Sequence, residues 1–280
     1  MKNVVLDALL TRPDFLIIGG QKCGTTALYD YLSQHPQILP AKRKEIHYFD
    51  YRANSGDLWY RRCFPAKAQM RRARKRLNLP IITGEASPSY LIYPNAAPRA
   101  VAFVPDAKLL VLLRNPVDRA WSHYQMNRSK GEVYDREQKR QMPREPLSFE
   151  EALEQEDGRL KKALARMEKG DEHSAWWRMH SYRMRGLYAS QIKRWLEFFP
   201  RAQFHFVDSA ELHRDTNTSF NRVLDFLQVQ PLKLPVYERK LVGGYHEKMK
   251  PETRQQLLEF FRPHNEELYQ LLDRRFDWDR

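Results

Sequence analysis

Two glycines and three polar residues in the stretch LIIGGQKCGTTAL, residues 16–28, are spaced to hold an anion. A phosphate-binding loop of the G-x-x-x-x-G-K-[ST] type cradles phosphates with backbone N–H groups while its lysine reaches the terminal ones. Gly19 and Gly24 keep that spacing, and Thr26 fills the last slot. Thr25, however, stands where the lysine belongs, and a lysine comes early, at Lys22. The loop lies between an apolar run and a stretch with helical spacing, so the free N–H groups and dipole of a helix start favour an anion there. Lys22, Thr25 and Thr26 add donors. The competing reading is a glycine-rich turn with no ligand.

A phosphoryl-transfer enzyme also needs a Mg²⁺ site, commonly an aspartate that closes a buried strand. The most apolar run, KLLVLL, ends instead in Arg114, which repels a cation and attracts a second anion. Asn115 and Pro116 form an N-cap and first-turn pair. Ser122, eight residues past Arg114 and about two helical turns on, can share that anion. A structural salt bridge of Arg114 is the alternative. Together these residues suit a nucleotide carrying phosphates at two ends, held without metal. A kinase-like enzyme using Mg²⁺ and ATP and a basic polyanion-binding module remain as rival readings.

These residues need a scaffold of strands followed by helices. DFLIIGG, LPIITGEASPSYL, AKLLVLLRNP and AQFHFVD read as strands. Helical stretches follow or lie between them: TTALYDYLSQHP, NPVDRAWSHYQMNR, LYASQIKRWLEFFP, TSFNRVLDFLQV and ETRQQLLEFFRPHNEELYQLLDRRF. Alternation of this kind implies a mainly parallel sheet covered on both sides, in one domain spanning 1–280. Residues 127–181 are denser in charge and read as a solvated helical insertion or a flap over an acceptor site. Ser148 and Glu151 form a capping box there. The run RRARKR, residues 71–76, reads as an exposed helix face more than as a nucleic-acid patch.

Composition bounds the rest. The 280 residues are 42% hydrophobic and carry 48 Lys+Arg against 35 Asp+Glu, a net +13, which favours anionic partners without choosing among them. No run approaches the ~18 apolar residues of a membrane span. The start has Asp7 inside its short apolar stretch and lacks a small-residue cleavage site, unlike a signal peptide. Two cysteines, Cys23 and Cys63, make neither a disulfide framework nor a zinc site. A soluble cytoplasmic protein is expected. Its basic residues are scattered without interleaved aromatics, which argues against a nucleic-acid partner.

Several segments together resemble PAPS-dependent sulfotransferases, where PAPS is 3′-phosphoadenosine 5′-phosphosulfate. They are FLIIGGQKCGTTALYDYLSQHPQI, KEIHYFD, GEASPSYL, LLVLLRNPVDRAWSHY, RGLYASQIKRWLEFFP and FRPHNEELYQLLDRRFDW, which cover nearly the whole chain. The chain is most similar in pattern to bacterial sulfotransferase-domain proteins and heparan sulfate sulfotransferases. The resemblance implies a P-loop-like, three-layer α/β fold and transfer of a sulfuryl group from PAPS to a hydroxyl, releasing PAP. It assigns the 5′-phosphosulfate to the loop of Lys22, Cys23, Gly24, Thr25 and Thr26, with Lys22 stabilising the leaving oxygen. Arg114 and Ser122 would bind the 3′-phosphate, and no metal is needed.

The resemblance also names a base for the acceptor hydroxyl, Glu45, with His47 on the same side if the segment is extended. Lys42, Arg43 and Lys44 are expected to keep Glu45 ionised. Tyr182, Arg185 and Tyr188 fall in a segment that borders the nucleotide in the family, with aromatic packing as the alternative for them. Gly243 and Gly244 match a cofactor loop, but Val242 replaces its lysine, for which Lys240 can compensate. Ala86 replaces a lysine of the heparan-type enzymes. These departures turn the expected acceptor away from heparan sulfate toward another saccharide or a small-molecule alcohol, with an amine as the remaining option.

Overall fold

The computed structural model describes residues 8–129, 133–135, 140–142, 145–168, 177, 179–236 and 247–278. In chain order the elements are β1 Phe15–Gly19, α1 Thr25–Ser33, α2 Asp57–Arg61, α3 Lys67–Leu77, β2 Gly84–Ala86, α4 Ala96–Phe103 and β3 Lys108–Leu113. Then follow α5 Pro116–Ser129, β4 Val133–Asp135, β5 Arg140–Met142, α6 Phe149–Glu154, α7 Glu156–Glu168 and α8 Tyr188–Leu196. The last are β6 Phe204–Asp208, α9 Ser209–Arg214, α10 Thr216–Leu227 and α11 Pro251–Leu272. The four expected strands are all present. The chain divides into two compact units, Met1–Leu113 with Ile192–Lys240 and Arg114–Gln191 with Leu241–Arg280.

The first unit holds the sheet, in the order β2-β1-β3-β6 with every pairing parallel. β1 is buried at every position and β3 at all but its first, as the unbroken apolar runs demand of strands covered on both faces. One core cluster joins Phe15, Ile17, Leu28, Leu32, Leu110 and Leu112 to Phe220, Val223 and Leu224 of α10. Parallel strands bring their carboxyl ends to one edge, and the loop after β1 and the SPSY turn after β2 both leave from that edge. Gly84 has no room for a larger residue, since a Cβ there would lie 2.5 Å from the Phe15 ring. The RRARKR run lies on α3, exposed except for Ala73.

The second unit packs Val117, Ala120 and Tyr124 of α5 against Phe149, Tyr182, Leu257 and Phe261. Asn115 caps α5, its Oδ1 accepting from the Val117 N–H at 2.9 Å, and Pro116 takes the first helical position. The Ser148–Glu151 capping box forms, with Ser148 Oγ accepting from the Glu151 N–H at 3.3 Å and the Glu151 carboxylate accepting from the Ser148 N–H at 2.9 Å. The charged insertion is held by buried carboxylates as well as solvated. Glu145 accepts from Arg159 at 2.9 Å, His180 at 2.7 Å and Tyr182 at 2.8 Å, and Glu156 accepts the Arg183 and Met184 N–H groups at 2.8 and 2.9 Å. Among the described residues no helix is long and apolar enough to cross a membrane.

Candidate active site

The loop after β1 is pinned at its entry, where the Gly20 N–H donates to the Leu112 carbonyl at 2.7 Å. Cys23 N–H donates to Gly20 at 3.2 Å and closes a turn, and Gly24 then starts α1 from φ +92°. Gly24 has no side chain to cap α1, and no acid sits in the first turn. The amides of Thr25, Thr26 and Ala27, which have no intrahelical acceptor, are thus left to an outside anion. Cys23 is fully buried and anchors the loop from below. Lys22 and Thr26 keep partial exposure, whereas Thr25 is buried.

KEIHYFD is not extended. Glu45 and His47 adopt left-handed backbone, with φ +58° and +62°, and this turned segment still brings their side chains together, with His47 Nε2 3.8 Å from Glu45 Oε2. Lys44 joins the segment to the loop: its Nζ donates to Thr26 Oγ1 at 2.6 Å and to Glu45 Oε1 at 3.0 Å. Of the three cations expected around Glu45, only Lys44 forms an ion pair with it. The Arg43 guanidinium lies over the Trp59 ring, 4.9 Å from its centre, and Lys42 is exposed. Behind His47, the fully buried Asp50 faces Nδ1 at 2.8 Å, and the Ser89 hydroxyl donates to the same Asp50 oxygen.

The electrostatics separate the two titratable groups. The contact with His47 lowers the Glu45 carboxyl most, Lys44 lowers it further, and together they outweigh partial burial and hold it at about 2. Burial disfavours a charged His47, yet Asp50 and then Glu45 outweigh it and raise the ring to about 9. At neutral pH Glu45 is therefore an anion able to accept a proton. His47 is a cation with none to take.

Six non-glycine residues among those described have positive φ. Asn78, Gln228 and Asp273 close helices, a common use of left-handed backbone. The other three are Lys22, at φ +69°, Glu45 and His47. Such conformations cost about 1–3 kcal/mol each and concentrate where geometry serves function. The sequence pointed to Lys44 as a cation beside Glu45 but gave neither its bond to Thr26 nor Asp50 as the partner of His47. The signal for Asp50 was present, in an acid three residues past the histidine, but a loop's fold cannot be read from such spacing.

The remaining expected residues lie elsewhere in the fold or outside the description. Arg114 directly follows β3, and its carbonyl accepts the Tyr188 hydroxyl at 3.0 Å. Ser122 lies buried on α5. Tyr182 has no exposed surface, and its hydroxyl donates to Glu145 at 2.8 Å. Arg185 is buried and donates to Ser181 Oγ at 2.8 Å. Ala86 is buried in β2. Gly243 and Gly244, with Lys240 and Val242, lie outside the described residues. So do parts of the 127–181 insertion.

With the loop, its displaced lysine and the turned acid–histidine segment in place, comparison with known proteins is decisive. The sulfotransferase domain model matches residues 12–238. The chain belongs to the sulfotransferase family. It is 31% identical to heparan sulfate glucosamine 3-O-sulfotransferase 6 of Mus musculus, over 95% of this chain and 74% of that protein. It is 27% identical to the membrane-associated sulfotransferase kil1 of Dictyostelium discoideum, over 96% of this chain and 67% of that one. The crystal structure of a sulfotransferase from Alicyclobacillus acidocaldarius superposes with a TM-score of 0.69 at 32% identity, covering 97% of this chain and all of that one. The protein is thus a transferase of sulfuryl groups, and the kinase-like and polyanion-module readings fall.

The ring of His47 should titrate near 9, and Asp50→Asn should bring it down by at least about one unit, since removing a facing charge favours the neutral ring. Imidazole resonances followed by NMR against pH check this. A wild-type midpoint near 6.5 would remove the ion pair from the account.

Proposed function

We propose that the enzyme moves a sulfuryl group from PAPS to a hydroxyl of a saccharide or small-molecule acceptor, with Glu45 as base and Lys22 at the leaving group. The observation that carries this reading is the coincidence of the three left-handed residues outside helix ends with Lys22, Glu45 and His47. The loop fits an anionic donor: its helix start has no side-chain cap and no acid in the first turn, and a lysine stands beside it. PAPS supplies a sulfuryl group already attached to a phosphate that leaves as PAP.

Glu45 accepts the acceptor's hydroxyl proton as that oxygen bonds to sulfur. Lys22 neutralises the charge that the phosphate oxygen keeps when its own bond to sulfur breaks. His47, charged and backed by Asp50, orients the Glu45 carboxylate and keeps it ionised. Lys44 holds the same carboxylate from the loop side. A sulfuryl group carries less negative charge than a phosphoryl group, so a lysine and backbone N–H groups can serve where a kinase uses Mg²⁺. The assignment of Arg114 and Ser122 to the 3′-phosphate is carried over from the sequence resemblance.

Three measurements test the reading. A positioned base is worth about 10²–10⁴ in rate, so Glu45→Gln should lower kcat for transfer from ³⁵S-labelled PAPS by that factor, with PAP affinity near wild type. Turnover should persist in excess EDTA, and ATP should not replace PAPS. Glu45→Gln retaining more than about a tenth of wild-type kcat, with His47→Ala inactive, would exchange the two roles. The third measurement concerns Arg114. Loss of one charge-assisted contact costs about 1.5–3 kcal/mol, so Arg114→Ala should weaken PAP binding roughly ten- to a hundredfold while adenosine 5′-phosphosulfate binding barely changes. Equal losses for both ligands would make the arginine structural.

A further inference from the structure

We propose that Glu85 is a positioning residue, the anchor that holds the turned segment carrying Glu45 and His47 in its strained shape. This rests on the reading of Glu45 as base. Glu85 is the middle residue of β2 and has no exposed surface. Among the described residues no cation lies within ion-pair distance of it. Three hydroxyls serve its carboxylate instead: Tyr60 and Tyr90 donate to Oε1 at 2.8 Å each, and Ser87 donates to Oε2 at 2.6 Å. A wholly buried carboxyl with no direct ion-pair partner, pushed above the usual range by burial, is a poor way to gain stability, which points to another use.

That use is visible one bond further out. A hydroxyl has a single proton, so once Ser87 and Tyr90 donate to Glu85 their lone pairs must face elsewhere. Ser87 Oγ accepts the His47 N–H at 3.1 Å, and the Tyr90 hydroxyl accepts the Tyr48 N–H at 2.8 Å. The Glu45 N–H donates to the carbonyl of Ala86, the next residue, at 2.9 Å. Three amides of one short segment therefore hang on residues 86, 87 and 90, and the two hydroxyls among their acceptors are fixed in direction by Glu85. The two residues held out of ordinary backbone space, Glu45 and His47, lie within the stretch so held.

The test uses the full chain with Glu85→Gln, Ser87→Ala, Tyr90→Phe and, as the conservative control, Ser87→Thr. Misplacement of a reacting group by about 1 Å can cost 10²-fold. The first three variants should therefore lose about tenfold or more in kcat, with acceptor KM and PAP affinity within about twofold, whereas Ser87→Thr keeps most activity. In a Glu45→Gln background the same substitutions should cost nothing further, because residues acting as a unit are non-additive. Undiminished kcat in Ser87→Ala, or losses that multiply in the Glu45→Gln background, would overturn the proposal. Amide exchange at His47 and Tyr48, followed by NMR, needs no turnover and should quicken at least about tenfold in Ser87→Ala. Unchanged exchange would overturn the positioning role by itself, whereas absence of transfer by the wild type would strike the sulfotransfer reading.

Discussion

The Lys44 ammonium, shared between Thr26 Oγ1 and the Glu45 carboxylate, is the contact on which the site depends. It joins the start of α1, where a negative donor is favoured, to the anion proposed to take a proton. Two negative centres placed close together would otherwise repel, and a cation between them lets both be held near one another. The same cation helps depress the Glu45 carboxyl, with His47 supplying the larger part. Base strength is given up in exchange for certainty of ionisation: a carboxyl at about 2 is always ready to accept, though it binds a proton weakly. A proton lost from the acceptor as its oxygen bonds to sulfur needs only a brief resting place, which such a base provides.

The sheet explains why so few residues suffice. Parallel strands direct the loop after β1 and the turn after β2 to the same edge, so the amides at the start of α1 and the Glu45 segment are each attached to rigid, buried backbone. Phe15 and Leu16, paired with Gly84 and Glu85, set that register, and Gly84 is required because the Phe15 ring occupies the space of a side chain. Strain is confined to the short stretches between these anchors. Lys22, Glu45 and His47 carry it, and the hydrogen bonds around them oppose relaxation.

The strands and the helix start were legible because their signals are local: unbroken apolar runs, glycines at fixed spacing, an Asn-Pro pair after β3. The acid–histidine segment was legible in its residues but not in its shape. Alternating side chains in an extended strand and a doubly left-handed turn can both bring residues two apart onto one side, and nothing in KEIHYFD distinguishes them. Ser87 and Tyr90, which hold that turn, come about forty residues later, so their contacts with it are invisible to any pattern of spacing. Tyr182 shows the opposite limit: its sequence fitted a nucleotide border and a core equally, and its burial with Phe149 and its hydroxyl bond to Glu145 come from contacts that no local pattern gives.

An ionised Glu45, not His47, is proposed to take the acceptor's proton. The most direct measurement is kcat for sulfuryl transfer as a function of pH. A Glu45 depressed to about 2 remains an anion well below pH 4, and a His47 raised to about 9 remains charged until that pH. The predicted profile is flat from about pH 4 to 8 and falls only as pH rises through about 9, where the ring that orients Glu45 loses its charge. An acid limb with a midpoint near 6.5, the ordinary value for histidine, would mean that a neutral imidazole does the work, and would contradict the account.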